Sequence, residues 1–162
     1  MAKARVELLL RQVDQAFDRR AWHGTNLAGS LRGLGVEEAS YRPNPHRHNA
    51  WELAVHCAYW KYAVWRRLTG EKKGSFPLSG SNFFPRPDER GATAAALAAD
   101  LNLLRSMHRL MRTAVSSLQD SRLARLSPKK KWTLADEILG IANHDTYHAG
   151  QIQILRRLFQ KR

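Results

Sequence analysis

His144 and His148 stand four residues apart, with Asp145 beside the first of them. On a helix that spacing puts both imidazoles on one face. Two further histidines, His56 and His108, fall in other stretches of helical periodicity. Neutral imidazoles ligate zinc, nickel, iron or copper, and a three-histidine set leaves coordination positions open. An open position lets a metal lower the pKa of a bound water or thiol, or polarise a carbonyl. Hydrogen-bonded core histidines are the alternative reading. Against it, both residues replace core positions, and burying an imidazole is costly without a bond or a metal.

The pair also matches the spacing of the His-Glu-x-x-His helix of zinc proteases. Here Asp145 stands where the Glu would be, one carbon shorter, and no third ligand follows, so a protease is the weaker reading. Asp145 is better placed to orient a ligand histidine, and Gln151 shares the His144/His148 face. His23 lies beside Gly24 at a helix end and reads as structural. His46 and His48 lie in a loop broken by Pro43 and Pro45 and read as exposed. Cys57 is the only cysteine, which excludes an intramolecular disulfide and a cysteine zinc site; it reads as a packed small residue.

The elements that must position these residues are helices. Thr133 with Asp136 starts the last one, and Leu134, Ile138, Ile141, Ile152, Leu155 and Phe159 form its apolar stripe. Midway the stripe carries His144, Asp145 and His148 instead of aliphatics. A helix over residues 49–68 opens on Asn49 and Glu52, stops at Gly70, and bears His56 near its seam. A third, over 91–118, alternates three- and four-residue steps through Leu97, Leu101, Leu104, His108, Met111, Val115 and Leu118. A first helix over 4–20 carries Val6, Leu10, Val13 and Phe17, and a short helical turn is expected around Leu27–Leu34. Residues 71–90 form a long loop with apolar anchors, a wall or lid over a pocket or else a packed connector. The expected fold is all-α: a four-helix bundle with a long loop between its second and third helices, in a single domain over 1–162.

A rise of ~1.5 Å per residue places His56 ~20 Å before its helix end and His108 ~26 Å into the next helix. His108 is ~17 Å before that helix ends, and His144 and His148 are ~17–22 Å into the last one. Antiparallel neighbours would hold all four in one layer.

Lys and Arg total 27 against 14 Asp and Glu, a formal charge of +13. Such a surplus attracts nucleic acid, an acidic surface or an anionic substrate. The basic residues are spread along the chain, and the run Lys129-Lys130-Lys131 reads as a solvated turn, so nucleic-acid binding is the alternative. No apolar run reaches membrane-spanning length and no leader is visible, so a cytoplasmic protein that does not enter the membrane is expected.

Three segments, Trp22-His23-Gly24, Trp51-Glu52-Leu53-Ala54-Val55-His56-Cys57-Ala58-Tyr59-Trp60-Lys61 and His144-Asp145-Thr146-Tyr147-His148-Ala149-Gly150-Gln151-Ile152, resemble the DinB/YfiT-like family of metal-dependent four-helix bundles. The resemblance implies a divalent metal, zinc or nickel first and iron next, held by His56, His144 and His148. His108 is outside that set; it is expected as a pocket residue first and a fourth ligand second. Relatives include transferases and isomerases that use low-molecular-weight thiols, and members often pair as homodimers. The resemblance therefore implies a thiol-dependent S-transferase, or a related metal-assisted transferase or hydrolase, with a small-molecule substrate and an anionic thiol as partners. The family name reflects DNA-damage-inducible expression. The alternative is a bacterial stress-response protein, nucleic-acid-binding or structural, whose metal is not catalytic; a third reading is a bundle whose site serves only in assembly.

Overall fold

The computed structural model describes residues 3–128 and 131–162. Its helices are α1 (Ala4–Phe17), α2 (Leu27–Ser30), α3 (Val36–Ser40), α4 (Ala50–Thr69), α5 (Ala94–Ser116) and α6 (Leu134–Gln160), with a 3-10 turn at Asp120–Arg122. No strand occurs among the described residues, and the protein is an all-α helical bundle built on its four long helices.

Local chemistry sets the helix ends. At α4 the Asn49 side chain accepts from the Glu52 amide at 2.8 Å, and the Glu52 carboxylate accepts in return from the Asn49 amide at 3.3 Å. Gly70 closes α4 at φ +82°, a conformation that suits glycine because it has no Cβ to clash. Thr133 and Asp136 form the equivalent box at α6, and Thr93 caps α5. Helix α1 stops at Phe17, short of the expected Arg20. The reason is composition: Asp18, Arg19 and Arg20 bring no apolar contact, and the Arg19 carbonyl is taken at 2.7 Å by the Asn26 side chain. The expected turn after it resolves into two, α2 and α3, with Asn26 capping the first.

The core has two halves. Phe17, Leu27, Trp51, Leu104 and Ile152 belong to one; Val6, Val64, Met111, Val115 and Ile138 to the other. Each aliphatic side chain fully buried here contributes ~1.5–3 kcal/mol. Helix α4 packs between α5 and α6, while α1 lies against α5 and α6.

The segment from Gly70 to Thr93 is held at several points. The Tyr62 hydroxyl accepts from the amides of Gly74 and Ser75, both at 3.1 Å. Arg86 reaches Asp100 at 2.6 Å, and Asp100 also accepts from the Trp51 indole at 2.8 Å. The Asn49 amide group donates to the Arg86 carbonyl at 2.8 Å. This loop is therefore a fixed wall of the bundle. Lys131 lies 5.3 Å over the Trp132 ring; Lys129 and Lys130 of the basic run lie outside the described residues. No helix among the described residues is long and apolar enough to cross a membrane.

Candidate metal centre

Three imidazoles meet where α4 faces α6. His56 Nε2 lies 3.0 Å from His144 Nε2, and His148 Nε2 lies 3.1 Å from the same atom. The three nitrogens all fall within 4.8 Å of one another. Two sequence features bring them there: the four-residue step on α6 and the seam position of His56 on α4.

What the other ring nitrogens do decides the chemistry. His56 Nδ1 lies 2.9 Å from the Asn82 carbonyl oxygen, which can only accept. His148 Nδ1 lies 2.6 Å from Gln151 Oε1, while the Gln151 amide donates to the Tyr147 hydroxyl at 3.0 Å. Both rings therefore carry their proton on Nδ1 and present a bare lone pair at Nε2. Burial pushes His56 down to about 4 and His144 to about 3, the latter helped by its two imidazole neighbours, and burial also lowers His148. All three are neutral at neutral pH.

A single proton on His144 Nε2 can serve only one of the two lone pairs that face it, so the trio is short of a positive partner. Nitrogens bound at ~2.0–2.1 Å to one zinc-like ion lie ~3 Å apart, which the observed spacings match. The residues present fit a first-row divalent cation, with the Asn82 carbonyl and Gln151 orienting two of the rings.

The DinB superfamily sequence pattern matches residues 19–152, a span that includes all three histidines. The chain belongs to the DinB superfamily. That superfamily is metal-binding, in keeping with a trio able to hold an ion. No curated protein and no solved structure matches the chain.

In this DinB-superfamily protein the surroundings of the trio are mostly aromatic. Phe83 stacks on His56 at 4.1 Å between ring centres, and His48 stacks on the other end of the series, 3.7 Å from Phe83. Asn82 holds φ +67° and uses both of its polar ends: its carbonyl takes His56, and its side chain accepts from the Trp60 indole at 3.0 Å. A cavity of about 640 Å³ opens onto all three histidines, bounded by Leu53, Phe83, Tyr147 and Ile154 among others. Arg47 and His48 stand in its wall. A second space of about 430 Å³, lined by Trp132 and Leu139, reaches His144 and Trp60.

Gln151 sits where its shared face with the histidines placed it. Asp145 does not orient a ligand histidine: it is ion-paired with Lys61, and both are buried. His108 does not join the trio. It stacks on Phe17 of α1 at 3.7 Å and borders a different cavity, so it is no fourth ligand. Cys57 approaches His144 and Asp145, but burial pushes its thiol up and keeps it protonated, which leaves it a packing residue.

Lys61, Asn82 and Phe83 were not singled out by sequence, and His48, read as an exposed loop histidine, is exposed but also lines the cavity. Lys61 had a signal: it falls on the buried side of α4, and Asp145 occupies the α6 stripe, so opposite charges stood at two core positions. His48 had another, four residues before the Glu52 that its Nδ1 meets at 3.0 Å. Asn82 had none, because every residue carries a carbonyl.

Proposed function

We propose that this protein is a metal-dependent enzyme whose His56, His144 and His148 hold one divalent first-row cation, and that it transfers a low-molecular-weight thiol to an electrophilic small molecule. The observation that carries the reading is the convergence of three neutral Nε2 atoms, two of whose rings hold their proton on Nδ1 against Asn82 and Gln151, which leaves at least one lone pair without a proton. A cation bound there would supply the Lewis acidity that lowers the pKa of a thiol or water.

The chain's own residues do the rest. Leu53, Phe83, Ile154 and Leu158 bind the apolar body of a substrate and exclude water from its reacting end. Arg47 in the same wall attracts an anionic thiol. The Tyr147 hydroxyl accepts from Gln151 and keeps its own proton free to donate to a substrate oxygen. Gln151 and Asn82 hold His148 and His56 in the tautomer the metal needs. Hydrolysis would use the same groups with water in place of the thiol.

The test is metal content per chain, by mass spectrometry on protein purified without a metal-binding tag, beside a His144→Ala/His148→Ala variant. Near-stoichiometric metal that vanishes in the variant supports the reading and directs a screen of thiols and electrophiles. Equal metal in both proteins, or none after incubation with zinc, nickel and iron, removes it.

A further inference from the structure

A cavity of about 500 Å³ lies between α1, α5 and the α2–α3 segment, and it shares no residue with the two spaces at the histidine trio. Its apolar surface comes from Phe17, Leu31, Leu34 and Leu101. Three guanidinium groups, Arg32, Arg105 and Arg109, stand around it against one carboxylate, Asp18. That carboxylate already has Arg19 beside it at 3.8 Å. Among the described residues, Arg105 and Arg109 bond only neutral oxygens, Asn102 Oδ1 and Ser106 Oγ, each at 3.0 Å. One turn further along α5, Arg112 is by contrast held by both oxygens of Asp14 at 2.6 and 2.8 Å. Among the described residues, the positive charge at this cavity is thus compensated only in part.

The second observation is His108 at the cavity's inner end. It is 4% exposed, and its Nδ1 is sealed from solvent with no hydrogen-bond partner among the described residues. No other bond of the ring occurs among those residues. A neutral imidazole always carries one N–H, and because Nδ1 is sealed, the ring can meet a molecule in the cavity only through Nε2, which has no partner among the described residues. With the proton on Nε2, the ring offers a donor to an anion in the cavity. Guanidinium forks match carboxylate and phosphate oxygens geometrically.

We propose that this cavity is a second ligand site, which takes a small organic anion, a carboxylate or phosphate monoester on an apolar body, with Arg105, Arg109 and Arg32 on the head group and His108 donating to it. The apolar body rests on Leu31, Leu34 and Leu101. This assignment is independent of the metal centre.

The experiment follows the His108 ring resonances by NMR, with heats of binding, as benzoate, phenyl phosphate and inorganic phosphate are titrated in. Saturable binding of benzoate or phenyl phosphate that shifts His108 is expected, tighter than for inorganic phosphate; the tighter of the two aryl probes names the head group. Arg105→Gln and Arg109→Gln, both exposed positions, should each weaken binding about tenfold without altering the thermal midpoint. His144→Ala should leave it unchanged. No saturable binding at millimolar probe overturns the proposal, as does binding that survives the double arginine variant or disappears in His144→Ala. Arginine-dependent binding of a DNA duplex with no response to the small anions would also overturn it, and assign the patch to nucleic acid.

Discussion

Replacing Lys61 by Met would strand the Asp145 carboxylate inside the bundle. The two side chains are 0% and 1% exposed, and Lys61 is the only charged group bonded to Asp145 among the described residues. The second carboxylate oxygen has no hydrogen-bond partner among the described residues, so none of them compensates the charge further. Removing one member of such a buried pair costs ~3–5 kcal/mol, whereas replacing both by apolar residues is often neutral or better. Lys61→Met is therefore expected to lose ~3–5 kcal/mol, and Lys61→Met/Asp145→Leu to recover most of it. Asp145→Leu alone leaves Lys61 with the Phe17 ring, 4.9 Å from its ammonium, as partial compensation, and should cost less than Lys61→Met. Urea unfolding in the presence of a chelator separates this effect from metal binding. The pH dependence adds a signature. Burial raises the Asp145 carboxyl and Lys61 opposes that rise, so without Lys61 the native state binds a proton where the unfolded chain does not. The unfolding free energy of Lys61→Met then falls as pH rises, and its deficit against wild type narrows on acidification. A cost below ~1 kcal/mol for Lys61→Met, or a double variant as unstable as the sum of the singles, would refute the argument.

Three further outcomes follow from the site. Gln151→Leu removes the oxygen 2.6 Å from His148 Nδ1 and should weaken metal binding ~10–100-fold, read by competition with a chromogenic chelator, with the fold intact by circular dichroism. Asn82→Gly keeps the φ +67° backbone and the carbonyl that takes His56, whereas Asn82→Ala adds ~1–2 kcal/mol of left-handed strain, so only the alanine variant should lose metal affinity markedly. His108 is held at about 2 by burial and nearby positive charge, far below the ordinary ~6.5, so from pH ~7 to ~5 the unfolded chain gains a proton that the native ring refuses. Stability contributed through this residue is lost as pH falls, by ~2 kcal/mol over that interval, and His108→Leu should flatten the measured pH–stability slope by that amount.

Much of the bundle was legible because helix signals are local. The Asn49–Glu52 and Thr133–Asp136 boxes each lie within one turn, and the apolar steps of α4, α5 and α6 recur within a few residues. The candidate trio was legible only in part: His144 and His148 interrupt a stripe that must be buried, and a buried imidazole needs a partner, but the choice of His56 over His108 as the third member came from the family resemblance. The end of α1 was less legible, because whether a helix continues past Phe17 depends on what waits to pack against it.

What the sequence alone determined, then, is which residues form helices and which polar groups those helices carry inward. Tertiary structure decided their partners. Rise along an axis gives a residue's height in the bundle but not the direction it faces, and so His108 shares a layer with the trio on paper while it turns to Phe17 in the fold. Asp145 found Lys61 and left the histidines to the Asn82 carbonyl and Gln151. That carbonyl has no sequence signature, because it belongs to a backbone whose path is set by distant anchors: Tyr62 holding Gly74, and Asp100 holding Arg86. Contacts between residues far apart in the chain depend on how helices rotate and loops are pinned, and those are properties of the packed whole.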